Sequence, residues 1–223
     1  MKMILIGAKN PETIRVINAV KRSKPNLEIL GLLDNDLEKK GTDFYGIPVL
    51  GGFELLDDYV EKDIYFLNLI TGSTILRYET SKALADKGLK FENLIHPSVD
   101  LTMTKVGIGN YIQENVILQG ECEIGNNSAI NAGSIIAHET ILGNSVFIAP
   151  GVTICGIVKI GDGTLIGANA TVQPRKTIGK WCTIGSGAVI TKDIPDYAVV
   201  VGNPGRIIRY NEQLYDSGDI LIK

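Results

Sequence analysis

From Val106 onward, every sixth residue is Val, Ile or Leu. The series runs Val106, Ile112, Leu118, Ile124, Ile130, Ile136, Leu142, Ile148, Ile154, Ile160, Ile166, Val172, Ile178, Ile184, Ile190, fifteen positions without an exception. A slower beat lies on top: Gly107, Gly125, Gly143, Gly161 and Gly179 each follow one of these residues and stand 18 apart. Three hexads therefore make one coil, and the chain makes about five coils. Each hexad supplies one short strand and one corner, and three close a triangle. Aliphatic side chains then stack on their equivalents one coil above, burying a continuous column inside a parallel β-solenoid. The residue two before each aliphatic is mostly small, as at Val116, Cys122, Ser128, Ser134, Val146, Val152, Thr164, Ala170, Cys182 and Ala188. A narrow prism has room for one branched and one small side chain per face. This accounts for a chain with only 6% aromatic residues, and it gives Cys122 and Cys182 a packing role rather than a reactive one.

The first ~95 residues have a different grammar, alternating strand and helix patterns. "MKMILIG", "LEILGLLD" and "DIYFLNLI" read as short buried strands. "NPETIRVINAVKRS" reads as a helix with Asn10 at its cap and Pro11 in its first turn, and "STILRYETSKALADKG" as a second helix closed by Gly88. A βαβ series of this kind predicts a small parallel sheet with helices on its faces. The loop "GAKNPE" has one glycine where a dinucleotide fingerprint needs three, so NAD is not expected. Ligands of open parallel sheets still sit beyond the carboxyl ends of the strands. That gathers Gly7, Ala8 and Lys9, the acidic run Asp34, Asn35 and Asp36, and Thr71–Gly72 around one crevice.

A net charge of −3 gives no broad nucleic-acid footprint, and no stretch approaches the ~18 apolar residues of a membrane span. The opening residues turn polar too early for a secretory signal, so a cytoplasmic protein is expected. The three cysteines are scattered and there are two histidines, a poor set for a disulfide framework or a metal site, and no metal is expected.

One of those histidines stands out. His138 is the second residue after the inward Ile136, so it faces out of the prism, and Glu139 follows it directly. An outward histidine can be ordinary surface. A lone imidazole beside a carboxylate is also the usual arrangement of a general base. Neighbours on a strand point to opposite faces, so the two side chains meet only if the corner breaks the alternation.

A small βαβ domain, "NLIHPSV", hexads carrying "AHE" in the second coil, and "VGNPGRII" together resemble the bacterial nucleotide-sugar N-acetyltransferases of bacillosamine and perosamine synthesis. The sialic acid O-acetyltransferases share the layout. The resemblance reaches to about Arg206. It implies a Rossmann-like nucleotide-sugar-binding domain over 1–96, a left-handed β-helix binding acetyl-CoA over 97–206, and a tail over 207–223. It implies a homotrimer with acetyl-CoA between neighbouring solenoids, and a nucleotide-linked amino sugar held by the first domain. His138 is then the general base and Glu139 its partner. Gly156 offers its N–H to the thioester oxygen. Ala168, Ser186, Phe147 and Arg206 fall on CoA-binding positions, and Asn131 and Arg77 on positions near the sugar. His96 fits the family as well, with a junction role expected. The chain departs from its relatives at Phe147, where many carry a second histidine, and in the loops "GAKNPE" and "NLITGSTILR". The function implied is transfer of an acetyl group from acetyl-CoA to the sugar amine, without a covalent acyl-enzyme. O-acetylation of a sialic-acid-like or capsule sugar, and a non-catalytic β-solenoid binder, are the alternatives.

Overall fold

The computed structural model describes residues 1–7 and 10–212. The first part is a six-stranded sheet: β1 (Lys2–Ile6), β2 (Glu28–Leu33), β3 (Asp43–Phe44), β4 (Ile47–Gly51), β5 (Ile64–Asn68) and β6 (Lys90–Phe91), in the order β3-β4-β2-β1-β5-β6. Only the β3–β4 pair is antiparallel. Helix α1 (Glu12–Ser23) buries Val16, Ile17 and Val20 against Met3, Leu5 and Leu32. Its first turn is capped as the sequence implies: Asn10 Oδ1 accepts from the Glu12 N–H at 3.0 Å. Helix α2 (Thr74–Asp86) starts at Ser73, whose Oγ accepts from the Leu76 N–H. It ends at Gly88, at φ +79, a conformation that needs no Cβ. Strands β3, β4 and β6 go beyond the three strands read from sequence. Pro48 interrupts the short apolar run of β4, and such a proline hides a strand.

Then the hexads take over. Each aliphatic of the series is the second residue of a two-residue strand. Partners lie one coil apart in register, as Ile135–Ile136 on Thr153–Ile154. The strands stack into three parallel faces. The first carries Ile117–Leu118, Ile135–Ile136, Thr153–Ile154, Thr171–Val172 and Val189–Ile190. The second runs from Lys105–Val106 through Ile141–Leu142 to Thr177–Ile178. The third starts at Leu94–Ile95, passes Phe147–Ile148, Leu165–Ile166 and Thr183–Ile184, and ends in the hairpin Ala198–Val201 with Arg206–Tyr210. The ladder thus starts before residue 97 and continues past 206.

Two rules hold the coils. The small inward residues donate one coil up: Ser134 Oγ to Ala149 O, Thr164 Oγ1 to Gly179 O, Cys122 Sγ to Ala137 O. Hydroxyl and thiol are equivalent here, and burial pushes the Cys122 thiol up and that of Cys182 to about 11. At the corners, every sixth residue from Met103 to Gly187 is in the left-handed region, most of them not glycine. Such a residue costs ~1–2 kcal/mol. The turn it makes points its N–H at the coil below, as Ile157 N to His138 O and Arg175 N to Gly156 O, at 2.9 and 3.0 Å. Among the described residues no helix is long and apolar enough to cross a membrane.

Candidate active site

His138 lies on the corner between the first and second faces. Glu139 is that corner's left-handed residue, at φ +59. The corner therefore breaks the strand alternation, and Glu139 Oε1 comes to 3.0 Å from His138 Nδ1. Both side chains are about half exposed. The backbone of His138 is pinned from both sides: its N–H donates to Gln119 Oε1 at 3.1 Å and its C=O accepts from Ile157 N–H. With Nδ1 on the carboxylate, Nε2 is the nitrogen left for chemistry.

That nitrogen lies over Gly156, one coil above. A Cβ on Gly156 would stand 2.5 Å from Nε2, so only glycine leaves the imidazole this place. Among the described residues nothing accepts from the Gly156 N–H. Side-chain caps of such corner N–H groups come from an Asn or Asp one coil above, as Asn144 caps Asn126, or from a glutamine one coil below, as Gln113 caps Ala132 and Gln119 caps His138; above Gly156 stands Pro174, which has no acceptor side chain. Below Gly156 the glutamine's position is Ala137, which has no acceptor. The corner thus combines a free imidazole nitrogen with an unpaired backbone donor.

The other expected residues divide. Gly7, Asp34 and the loop after β5 do converge. Gly7 N–H donates to Leu33 O, and the Cβ that Gly7 lacks would stand 3.6 Å from Ile70. Asp34 Oδ2 is paired with Lys39 Nζ at 2.8 Å, and Asn35 Oδ1 accepts from Phe53 N–H. Lys39, not singled out in the sequence, is thus a cation at the crevice. Its bond to Asp34 holds the ammonium above its ordinary range. A second lysine in an acidic loop gave no sequence signal beyond its spacing. Ala8 and Lys9 lie outside the described residues, as does the tail beyond Glu212.

Arg77 is a correction. It does not face the crevice. It is fully buried, and its guanidinium donates to Asn127 O, Ile70 O and Ser128 O at 2.8, 3.2 and 3.4 Å. Burial pushes it down to about 9, which leaves it charged at neutral pH. Asn131 is also buried, its Nδ2 on Ile148 O, at the corner between the third and first faces. Ala168 and Ser186 stack at that same corner, a whole face away from His138, and among the described residues their N–H groups have no acceptor. Phe147 is half-buried on the third face, and Arg206 is exposed on the terminal hairpin. His96 accepts from Ser98 N–H within its own turn at the junction.

Residues 121–156, 139–174 and 157–192 match the family described as bacterial transferase hexapeptide (six repeats). Repeat and structural likeness together mark an acyltransferase built on a left-handed parallel β-helix. Among solved structures, the chain is similar to PerB of Caulobacter crescentus in complex with CoA and GDP-perosamine. They share 27% identity over 93% of this chain and 97% of that one, with a TM-score of 0.82. The acetyltransferase domain of PglB from Neisseria gonorrhoeae, in complex with acetyl coenzyme A, gives 26% over 93% and 98%, at 0.81. WeeI of Acinetobacter baumannii gives 26% over 93% and 100%, at 0.79. No curated protein matches by sequence comparison.

Proposed function

We propose that the protein is a cytoplasmic acetyl-CoA-dependent N-acetyltransferase acting on the amino group of a nucleotide-linked amino sugar. The observation that carries the reading is the pairing, at one corner, of the His138 Nε2 with the unpaired Gly156 N–H. The amine attacks the thioester carbonyl carbon. The new C–N bond forms as the amine proton passes to Nε2, and the carbonyl oxygen becomes an oxyanion against the Gly156 N–H. The C–S bond then breaks, and the imidazolium returns the proton to the departing CoA sulfur. Glu139, on Nδ1, fixes the tautomer and offsets the imidazolium charge. A general base is typically worth 10²–10⁴-fold, and one oxyanion donor ~3 kcal/mol.

The likeness to an enzyme solved with GDP-perosamine supports the amino-sugar acceptor, and that to a domain solved with acetyl coenzyme A supports the donor. In this reading Gly7, Asp34, Asn35 and Lys39 hold the nucleotide. Ala168 and Ser186 grip the pantetheine arm through their open N–H groups, with Phe147 as an apolar wall and Arg206 near the nucleotide end of CoA. Because that corner lies a face away from His138, the arm held by one copy is completed by His138 of the next, in a homotrimer. The test is release of CoA thiol with UDP-, dTDP- and GDP-linked amino sugars. An acetyl product stable to hydroxylamine is the expected amide. A labile ester would mean O-acetylation, and no turnover with any acceptor would overturn the reading.

A further inference from the structure

The loop that follows β5 borders the acceptor crevice, and Ile70 is held at both its N–H and its C=O. Asn68 Oδ1 accepts from Ile70 N–H at 2.9 Å, and the Arg77 guanidinium donates to Ile70 O at 3.2 Å. Neither side chain reaches solvent. Both are tied onward to the solenoid. Asn68 Nδ2 donates to Ser81 Oγ, and Ser81 Oγ donates to Asn127 Oδ1, at 2.9 and 2.8 Å. Arg77 Nε donates to Asn127 O. Asn127 is a left-handed corner residue of the second coil, at φ +55. The chain of bonds therefore runs without a break from the crevice loop to a solenoid corner.

A buried guanidinium satisfied only by carbonyls is a costly way to join two units, since apolar residues of similar volume often do as well. What it adds is direction. A planar fork fixes three carbonyls at once, which packing alone does not. The residues immediately after Ile70 line a cleft of about 540 Å³ between α2 and the third face, with Gly72, Ser73 and Thr74 on one wall and Trp181 on the other. Any shift of the Ile70 peptide moves that wall.

We propose that Arg77 and Asn68 are positioning residues for the acceptor: they lock the loop from Ile70 to Thr74 onto the solenoid, so that the crevice presents the sugar at a fixed height on the prism. This rests on the nucleotide-sugar reading above.

The decisive variant is Arg77→Lys, which keeps the charge and loses the fork. The expected result is a rise of about tenfold in the acceptor KM, equivalent to one lost hydrogen bond, with the acetyl-CoA KM within twofold of wild type. Ser81→Ala, milder to folding, should shift the acceptor KM in the same direction by less. Titration calorimetry with UDP, GDP or dTDP measures nucleotide binding without turnover, and the same weakening is expected in the variants. A lowered melting temperature with both KM values unchanged would make the network structural only and overturn the inference. So would equal shifts in both KM values. Should Arg77→Lys fail to fold, a wild-type acceptor KM in Ser81→Ala overturns it equally. If the wild-type enzyme acetylates no nucleotide-linked amino sugar, the failure lies with the function and not with the network.

Discussion

Ala137→Gln should switch off the proposed oxyanion donor without touching the base. In this solenoid a glutamine 19 residues before a corner N–H reaches it: Gln113 Oε1 lies 3.0 Å from Ala132 N, and Gln119 Oε1 3.1 Å from His138 N. Ala137 stands in the same relation to Gly156, so a glutamine there would cap the N–H that is now open. Loss of one such donor typically costs 10²–10³ in kcat, about 2.7–4 kcal/mol. The fall should appear in kcat with the acetyl-CoA KM little changed, because the donor strengthens as charge develops. Ala137→Met supplies similar bulk and no acceptor, and should stay within about tenfold of wild type. Gly156→Ala is the complementary probe. It keeps the N–H but sets a Cβ 2.5 Å from Nε2, so the imidazole must turn away. The displaced atom is the end of a half-exposed side chain, so the melting temperature should hold while kcat falls on the order of 10²-fold. A wild-type kcat in Ala137→Gln, or equal losses in the Gln and Met variants, would refute the donor role.

Three further outcomes follow from named groups. His138→Ala and His138→Asn should each lower kcat by ~10²–10⁴, with acetyl-CoA still raising the melting temperature; near-normal turnover would make the imidazole mere surface. Asp34→Ala releases Lys39 and should raise the acceptor KM while leaving the acetyl-CoA KM unchanged; equal effects on both would remove the crevice from the nucleotide site. Burial lifts Cys182 from the ordinary 9 to about 11, cutting its thiolate about 100-fold at pH 8. A thiol reagent should therefore label Cys155 in the native protein and all three cysteines only in denaturant. The same shift has a sign: between pH 9 and 11 the unfolded chain loses this proton first, so stability falls as pH rises. Rapid native labelling of Cys182 would contradict its burial.

The solenoid was legible because its signal is a side-chain pattern with a fixed period, and fifteen inward positions report it independently. The corner contact was not, because it depends on backbone conformation. Glu139, Ile157 and Trp181 all sit in the left-handed region, and none is a residue type that announces a turn. The long-range ladder imposes φ there, and the His138–Glu139 contact follows from it. In the first half, Gly7 and Asp34 were readable from their places at strand ends. Arg77 was not, since its partner carbonyls at Asn127 and Ser128 lie 50 and 51 residues away. A motif position gives the residue type, but burial is decided by whatever packs over it. Lys39 escaped notice because a lysine near two aspartates is ordinary until the 2.8 Å contact is seen.

The division of labour within a hexad explains where chemistry can reside on this fold. The aliphatic and the small residue two before it are fixed by the width of the prism, and their hydroxyls and thiols are committed to the next coil. The corner positions are free of the core, as are outward strand residues such as Ile117 and Lys159, but only the corners bring residues of successive coils to one edge. Along the corner that carries His138 these read Gly120, His138, Gly156 and Pro174, four residues with nothing in common. The corner still inherits the rigidity of the stack, since Gln119, Ile157 and Glu139 hold His138 at its N–H, its carbonyl and its ring. A side chain held to within ~0.5 Å is what a catalytic site asks of its scaffold. On a loop that precision would need supporting packing of its own; here it comes from the neighbouring coils, which are present for stability. Corner and core substitutions should therefore separate cleanly: Ile154→Ala should cost ~2–5 kcal/mol of stability, whereas Gly156→Ala, two residues on, should cost turnover and little stability.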